Sequence, residues 1–174
     1  MGKIIIVDFE KCLACKSCEI ACAVAHSDSK DLFKAFSAGE RPGYRVHVEA
    51  SREFSVPVHC HHCEDAPCMA VCPTGAIYRD DEDGPVLFNE GHCIGCRMCI
   101  QACPFGVISV SPEGKRVVKC DLCMDRLSEG QDPACVEACP TGALIFCEEE
   151  DASADKRSRS AEKIVASRRE ESEE

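Results

Sequence analysis

The residues with the clearest capacity for chemistry are cysteines, which occupy 17 of the 174 positions. All but one fall into four runs with short, repeated gaps. Run one is Cys12, Cys15, Cys18 and Cys22; run two is Cys60, Cys63, Cys68 and Cys72; run three is Cys93, Cys96, Cys99 and Cys103; run four is Cys120, Cys123, Cys135 and Cys139. Regular gaps of two or three residues are typical of metal ligands and not of crosslinks between distant segments. The pattern therefore indicates metal binding through thiolate sulfur.

The spacing within run three predicts that its thiolates bind two different clusters. Cys93, Cys96 and Cys99 are separated by two residues each, so they form a tight loop whose sulfurs can face one iron–sulfur cubane. Cys103 follows about one helical turn later and reaches a second cluster more easily than the first. This run, with its trailing proline, resembles the bacterial ferredoxin pattern, in which the fourth cysteine serves the other cluster. We therefore expect the runs to work in pairs.

The segments that leave the runs also repeat. They read CPTGAI from Cys72, CPFGVI from Cys103 and CPTGAL from Cys139. Proline disfavours helix in the residue before it, and the glycine two residues later allows a turn with positive φ. Each exit therefore predicts a short helix that stops and a strand that begins. Run one is the most divergent copy, because Ala23 follows Cys22.

The connection between runs two and three suggests how the runs pair. Two strand-like pieces flank an Asp-Gly turn in AIYRDDEDGPVLFNEGH, which is a hairpin signal. Runs two and three then form an inner unit, and runs one and four form an outer unit in which residues 4–7 can lie beside residues 143–146. The alternative, run one with two and run three with four, leaves a long and awkward connector after Cys22, and it stays open.

The nested pairing predicts four 4Fe–4S clusters on sixteen thiols. Cluster A uses Cys12, Cys15, Cys18 and Cys139; cluster B uses Cys120, Cys123, Cys135 and Cys22; cluster C uses Cys60, Cys63, Cys68 and Cys103; cluster D uses Cys93, Cys96, Cys99 and Cys72. The expected fold is α+β, with two pseudo-symmetric bacterial-ferredoxin-like units nested in sequence. Chelation would supply much of the folding free energy, so the chain without metal should be largely unfolded.

The positions of the cysteine runs set the boundaries of the expected units. Residues 1–56 hold run one and an insertion at 23–56, residues 57–112 form the inner unit, and residues 113–147 complete the outer unit. In the insertion, DLFKAF predicts a helical turn or two and YRVHVE predicts an edge strand. The insertion is either a docking face for a partner or a packed surface loop.

Residues 148–174 form a charged tail, which is helical or disordered. A narrow stripe of Ala161, Ile164 and Val165 can line one face of a helix that docks on a partner or on a second copy of the chain. Solvated disorder is the default for such a composition. We expect a helix that orders in a complex.

Composition excludes several other classes of protein. The net charge of −11 and the lack of a basic stripe argue against nucleic acid as a partner. No apolar run approaches the ~20 residues that span a bilayer, and the start shows no export signal. The chain is expected in the cytoplasm, or held at the inner membrane by a partner. That setting and the odd cysteine count oppose disulfides.

Zinc is the rival metal. Four structural zinc sites would also use all sixteen thiols. Zinc does not explain the third cysteine two residues on in runs one and three, or the Cys-Pro exits.

The remaining candidates carry weaker signals. Cys147 is expected to be an ordinary thiol and not a ligand. His59, His61 and His62 surround run two and are expected to fill a polar loop, although they could donate hydrogen bonds to a cluster. His26 and His92 carry less information still.

All four runs together resemble the iron–sulfur subunits with four 4Fe–4S clusters that accompany molybdenum or tungsten oxidoreductases, hydrogenases and carbon monoxide dehydrogenase. The resemblance covers residues 1 to about 147, and CLACKSCEIACAVAHS at 12–27 is most similar to the carbon monoxide dehydrogenase subunit. It supports the nested pairing.

The resemblance implies a non-catalytic subunit that carries electrons between a catalytic partner and another acceptor or donor. Carbon monoxide dehydrogenase is the first candidate partner, and the alternatives are a tungsten aldehyde oxidoreductase, a formate dehydrogenase or a hydrogenase, in a complex that can be larger or filamentous. A chain that is itself the enzyme is disfavoured, because all four runs are complete and the sequence has no Rossmann glycine pattern or P-loop.

Overall fold

A computed structural model describes residues 2–50, 53–112, 114 and 116–171 of the chain. The strands are β1 (Lys3–Val7), β2 (His47–Ala50), β3 (Ser55–Val58), β4 (Ile77–Tyr78), β5 (Leu87–Phe88), β6 (Ser109–Val110), β7 (Val117–Val118) and β8 (Leu144–Glu148). The α-helices are α1 (Ser17–Ala25), α2 (Leu32–Ala38), α3 (Pro67–Ala70), α4 (Met98–Ala102), α5 (Met124–Ser128), α6 (Ala134–Glu137) and α7 (Glu149–Glu171). Short 3₁₀ turns at Phe9–Lys11 and Glu90–His92 lead into runs one and three. The chain is thus a small mixture of short helices and strands, as an α+β fold requires.

The strands pair as four separate antiparallel ribbons, β1 with β8, β2 with β3, β4 with β5, and β6 with β7. In the first ribbon, Lys3 lies opposite Glu148 and Val7 lies opposite Leu144. The expectation that residues 4–7 lie beside residues 143–146 is therefore confirmed. The hairpin predicted around the Asp-Gly turn is also confirmed, since β4 pairs with β5 across it.

The exits from runs two, three and four have the predicted local structure. Helices α3, α4 and α6 each end one or two residues before the Cys-Pro pair. The glycines that follow have left-handed φ angles of 64° at Gly75, 65° at Gly106 and 63° at Gly142. Such angles strain residues that carry a Cβ atom, so glycine is the residue that permits these turns.

Two hydrophobic cores hold the described residues together, and cysteines are central to both. The first core contains Ile5, Cys18, Cys22, Val46, Leu122, Cys135 and Leu144. The second contains Ala66, Cys68, Ile77, Val86, Cys99, Ile108 and Val117. Helix α1 packs on α6 beside the first core, and α3 packs on α4 beside the second. The first core thus draws on runs one and four, and the second on runs two and three.

The insertion at 23–56 is packed in one part and exposed in another. Val46 is buried in the first core, and the backbone N–H of Val48 donates to Oε1 of Glu19 in α1 at 2.6 Å. In contrast, helix α2 exposes Phe33 and Phe36. The predictions of a helix at DLFKAF and a strand in YRVHVE are confirmed, and the strand pairs with β3. The insertion therefore covers the first core and also presents an apolar helix.

The tail forms helix α7 over Glu149–Glu171. Three acidic residues occupy its first turn, where negative charge favours a helix N-terminus. Ala161 and Val165 of the predicted stripe are exposed, whereas the side chain of Ile164 lies outside the described residues. Docking of this helix on a partner stays a prediction.

Candidate metal centres

Two small cavities in the second core are each lined by four cysteines. One is lined by Cys72, Cys93, Cys96 and Cys99 together with apolar residues. The other is lined by Cys60, Cys63, Cys68 and Cys103. Each cavity thus combines three cysteines of one run with the fourth cysteine of the other run. Cys147 lines neither cavity and lies in β8, opposite Ile4.

Cysteines of runs one and four lie close enough to affect each other electrostatically. Burial, together with the charges of Glu19 and Cys139, raises the pKa of Cys18 to about 11. The charge of Cys139 acts on Cys15 as well. Cys139, from run four, therefore lies beside the first cysteines of run one.

Cys22, the fourth cysteine of run one, affects the cysteines of run four. Burial raises the pKa of Cys123 to about 11, and Asp121 and Cys22 contribute to the increase. Burial also raises the pKa of Cys135 and of Cys120, and Cys22 contributes to both shifts. Cys22 therefore lies among cysteines of run four.

The ligand loops have a backbone conformation suited to an anion. Left-handed φ angles occur inside or just after the CxxC segments of all four runs, at Ala14, Lys16, His62, Gly95, Arg97, Leu122 and Cys123. Backbone that alternates between right- and left-handed conformations turns successive N–H groups toward one concave point, a geometry common at iron–sulfur sites. Strain at several non-glycine residues is therefore concentrated where the ligands are.

Backbone N–H groups also point at the cysteine sulfurs. The N–H of Gly95 donates to Sγ of Cys93 at 3.4 Å, and the N–H of Leu122 donates to Sγ of Cys120 at 3.4 Å. The N–H of Ala143 donates to Sγ of Cys139 at 3.2 Å. Hydrogen bonds of this kind favour the thiolate form, which is the form that binds metal.

The insertion contributes a donor of the same kind. The backbone N–H of Arg45 donates to Sγ of Cys22 at 3.3 Å, and Nε of Arg45 donates to the carbonyl oxygen of Lys119 at 2.8 Å. Arg45 thus joins run one to the start of run four. No sequence pattern marks it, because its partners lie 23 and 74 residues away.

Two of the histidines around run two are packed more closely than a polar loop requires, and a hydrogen bond from them to a cluster stays a prediction. His59 is buried and stacks on His61. Nδ1 of His62 accepts a hydrogen bond from the N–H of Val86 at 3.1 Å, which leaves Nε2 as the protonated nitrogen. That Nε2 is buried and has no hydrogen-bond partner among the described residues. Because His62 lines the cavity with Cys60, it offers a donor to a group bound there.

His26 holds runs one and four together, a role that no sequence signal indicated. Its Nδ1 lies 2.7 Å from the carbonyl oxygen of Cys22, and its Nε2 lies 3.1 Å from Oδ1 of Asp121. Burial lowers the pKa of His26, but the hydrogen bonds with Asp121 and Cys22 outweigh it and raise the pKa to about 9. A protonated ring donates to both acceptors at once.

The spacing of the sulfurs distinguishes between zinc and a larger group. A tetrahedral zinc ion with Zn–S bonds of about 2.3 Å holds its sulfurs about 3.8 Å apart. Within the described ranges, three possible ligand atoms lie within 4.8 Å of one another only at His26, Asp121 and Cys123. None of the four cysteine sets is that compact. A polynuclear cluster does not need such compactness, because its ligands bind different metal atoms.

The length and apolar character of the helices bear on whether one of them could cross a membrane. In the part of the chain that the structure describes, no helix combines the length and the apolar character needed to cross a bilayer.

The chain matches known families over all four runs. A family described as a 4Fe-4S dicluster domain matches residues 52–149, more than half of the chain, and a 4Fe-4S binding domain matches residues 9–25. Run one lies in the shorter match, and the other runs lie in the longer one.

Three curated relatives are also iron–sulfur or electron-transfer proteins. An iron-sulfur protein of Rhodospirillum rubrum is 46% identical over 153 residues, which cover 81% of this chain and 80% of the relative. The thiosulfate reductase electron transfer subunit PhsB of Salmonella typhi is 41% identical over 82% of this chain and 74% of its own. The electron transport protein HydN of Escherichia coli is 39% identical over 92% of this chain and 98% of its own. The chain therefore belongs to the family of ferredoxin-type 4Fe–4S electron-transfer subunits, whose role is to carry electrons and not to catalyse a reaction.

Proposed function

We propose that the chain holds four 4Fe–4S clusters with the ligand sets A to D defined above, and that it conducts electrons between a catalytic oxidoreductase subunit and a second acceptor or donor. The observation that carries this proposal is the pair of cavities in the second core. Each is lined by three cysteines of one run and the fourth of the other. A 4Fe–4S cluster supplies a centre that accepts and returns one electron at a potential set by its surroundings.

Electrostatic effects between cysteines of different sets support a linear order. Cys18 of set A acts electrostatically on Cys135 of set B. Cys60 of set C acts on Cys120 of set B, and Cys68 of set C acts on Cys99 of set D. Sets that adjoin in the order A, B, C, D would form a continuous path through the chain, with sets A and D at its two ends.

The nested division into two ferredoxin-like units has the same support. The outer unit joins residues 1–56 to residues 113–147 through the pairing of β1 with β8, and residues 57–112 form the inner unit around β4 and β5. The boundary at 112 is too early, because β7 pairs with β6 and Val117 is buried in the second core. The alternative pairing of run one with two and of run three with four would place Cys22 among the cysteines of run two. The effect of Cys22 on Cys120, Cys123 and Cys135 disfavours that arrangement.

For the catalytic partner, carbon monoxide dehydrogenase remains our first candidate because of the stretch at 12–27. A molybdenum- or tungsten-containing oxidoreductase is the second candidate, and the relative from thiosulfate reductase favours it. The exposed Phe33 and Phe36 of α2 and the charged helix α7 are the surfaces we assign to docking. The complex would lie in the cytoplasm, or on the inner membrane where a partner holds it.

Purification of the tagged chain from its native cells, without oxygen, tests this assignment. We expect a catalytic subunit to co-purify, with nickel in the preparation if the partner is a carbon monoxide dehydrogenase and molybdenum or tungsten if it is the second candidate. A variant that ends at residue 149 should recover less partner while keeping its iron. Recovery of a brown, iron-loaded chain without any co-purifying redox enzyme would contradict the proposal.

A further inference from the structure

Lys119 is a buried cation between the two cysteine-bearing cores. It is 2% exposed, and its Nζ lies 2.6 Å from the carbonyl oxygen of Val86 and 2.9 Å from that of Cys120. The third neighbour of Nζ is Sγ of Cys60, at 3.7 Å. Val86 and Cys60 lie with runs two and three, whereas Cys120 begins run four. Lys119 therefore reaches from the outer set B to a ligand of set C.

The contacts of Lys119 are those of a charged ammonium group. An ammonium has three N–H donors and no acceptor, and Nζ has three acceptors around it. None of the ion pairs found among the described residues includes Lys119. A buried cation without a carboxylate is costly unless another anion lies beside it. Of its three neighbours, the sulfur of Cys60 is the one that becomes anionic, as a metal-bound thiolate.

The surroundings of Lys119 respond to its charge. The charge of Lys119 acts on His62, which lines the cavity of set C together with Cys60. It also acts on Cys68, a second cysteine of that set. The charge thus acts on two cysteines of set C, Cys60 and Cys68.

We propose that Lys119 raises the reduction potential of the cluster held by set C. The proposal rests on the ligand grouping under Proposed function. A cluster bound by four thiolates becomes more negative when it accepts an electron, and a nearby positive charge stabilises that state. In the low dielectric of the buried junction the effect is stronger than at the surface. Lys119 is therefore a residue that tunes a cluster from outside its ligand set, at the step where sets B and C adjoin.

Redox titrations followed by electron paramagnetic resonance test this role. The variants are Lys119→Met and Lys119→Gln, which remove the charge, and Lys119→Arg, which keeps it. Lys34→Met is the matched control, because it changes the net charge equally at an exposed position on α2. We expect both uncharged variants to keep about sixteen irons per chain. One of the four potentials should become more negative in both, while Lys119→Arg and Lys34→Met stay close to the wild type.

The outcomes separate this proposal from the one on which it rests. Four unchanged potentials in the uncharged variants would overturn it. Loss of iron from both uncharged variants would also overturn it, because Lys119 would then act only to hold the fold. Fewer than four clusters in the wild-type chain would refute the proposed function itself, before any variant is compared.

Discussion

Removing iron from the anaerobically purified chain will abolish its cooperative unfolding transition. Cysteines are central to both cores, and the sequence has no tryptophan and few other aromatic residues to replace them. Strands β4 to β7 have two residues each, and helices α3 and α6 have four. Elements this short are not stable without tertiary packing. We therefore expect thiolate–metal bonds to provide much of the folding free energy.

The magnitudes support complete unfolding. A typical domain is stable by about 5–15 kcal/mol. A structural zinc site provides about 10–16 kcal/mol in zinc-finger peptides at pH 7, and we expect a thiolate-bound cluster to contribute on a similar scale. We therefore expect loss of the metal to leave no net stability in a chain that has several such sites.

Circular dichroism during a thermal ramp, before and after treatment with an iron chelator, measures this effect. The treated chain should show no cooperative transition, and iron with sulfide should restore one. Cys147→Ser is the matched control, because Cys147 lines neither cysteine cavity, and it should keep both its iron and its transition. A chelated chain that still melts cooperatively would show that apolar packing alone holds the fold.

The second large effect that we expect is a loss of stability when Asp121 is replaced by alanine. Its Oδ1 accepts hydrogen bonds from the N–H of Cys123 at 3.0 Å and from His26 at 3.1 Å. Burial raises the pKa of Asp121, but the hydrogen bond and charge of His26 outweigh it and hold this pKa well below its usual range. Asp121→Ala removes both hydrogen bonds and leaves His26 without its counter-ion.

We expect Asp121→Ala to cost about 1–3 kcal/mol of stability, less than a fully buried pair because water reaches part of the carboxylate. The loaded variant should melt at a lower temperature and release iron earlier. Asp125→Ala is the control, since Asp125 is exposed and its ion pair with Lys30 is long, at 3.6 Å. We expect no measurable change there. Equal stability of the two variants would mean that the link through His26 contributes nothing.

The features that could be predicted from the sequence are those set by local chemistry. Spacing within a run determines which thiolates share a loop, and proline and glycine determine where each exit turns. The pairing of β1 with β8 also followed, because a pair of runs requires strands from both ends of the chain to meet.

The features that could not be predicted depend on contacts between distant residues. His26 and Asp121 are 95 positions apart, and Lys119 and Cys60 are 59 positions apart. A single histidine or lysine beside a cysteine carries no periodic signal, so only the packed chain reveals its partner. The insertion shows the same limit, because its strand was predictable but its N–H donor to Cys22 was not.

Iron content of two double variants tests the grouping of the ligands most directly. Cys22→Ala combined with Cys120→Ala removes two ligands of set B, so it should cost one cluster and leave about twelve of sixteen irons per chain. Cys22→Ala combined with Cys60→Ala removes ligands of sets B and C, and should leave about eight. The reverse result, about eight irons in the first variant and about twelve in the second, would show that run one pairs with run two and would contradict the nested arrangement.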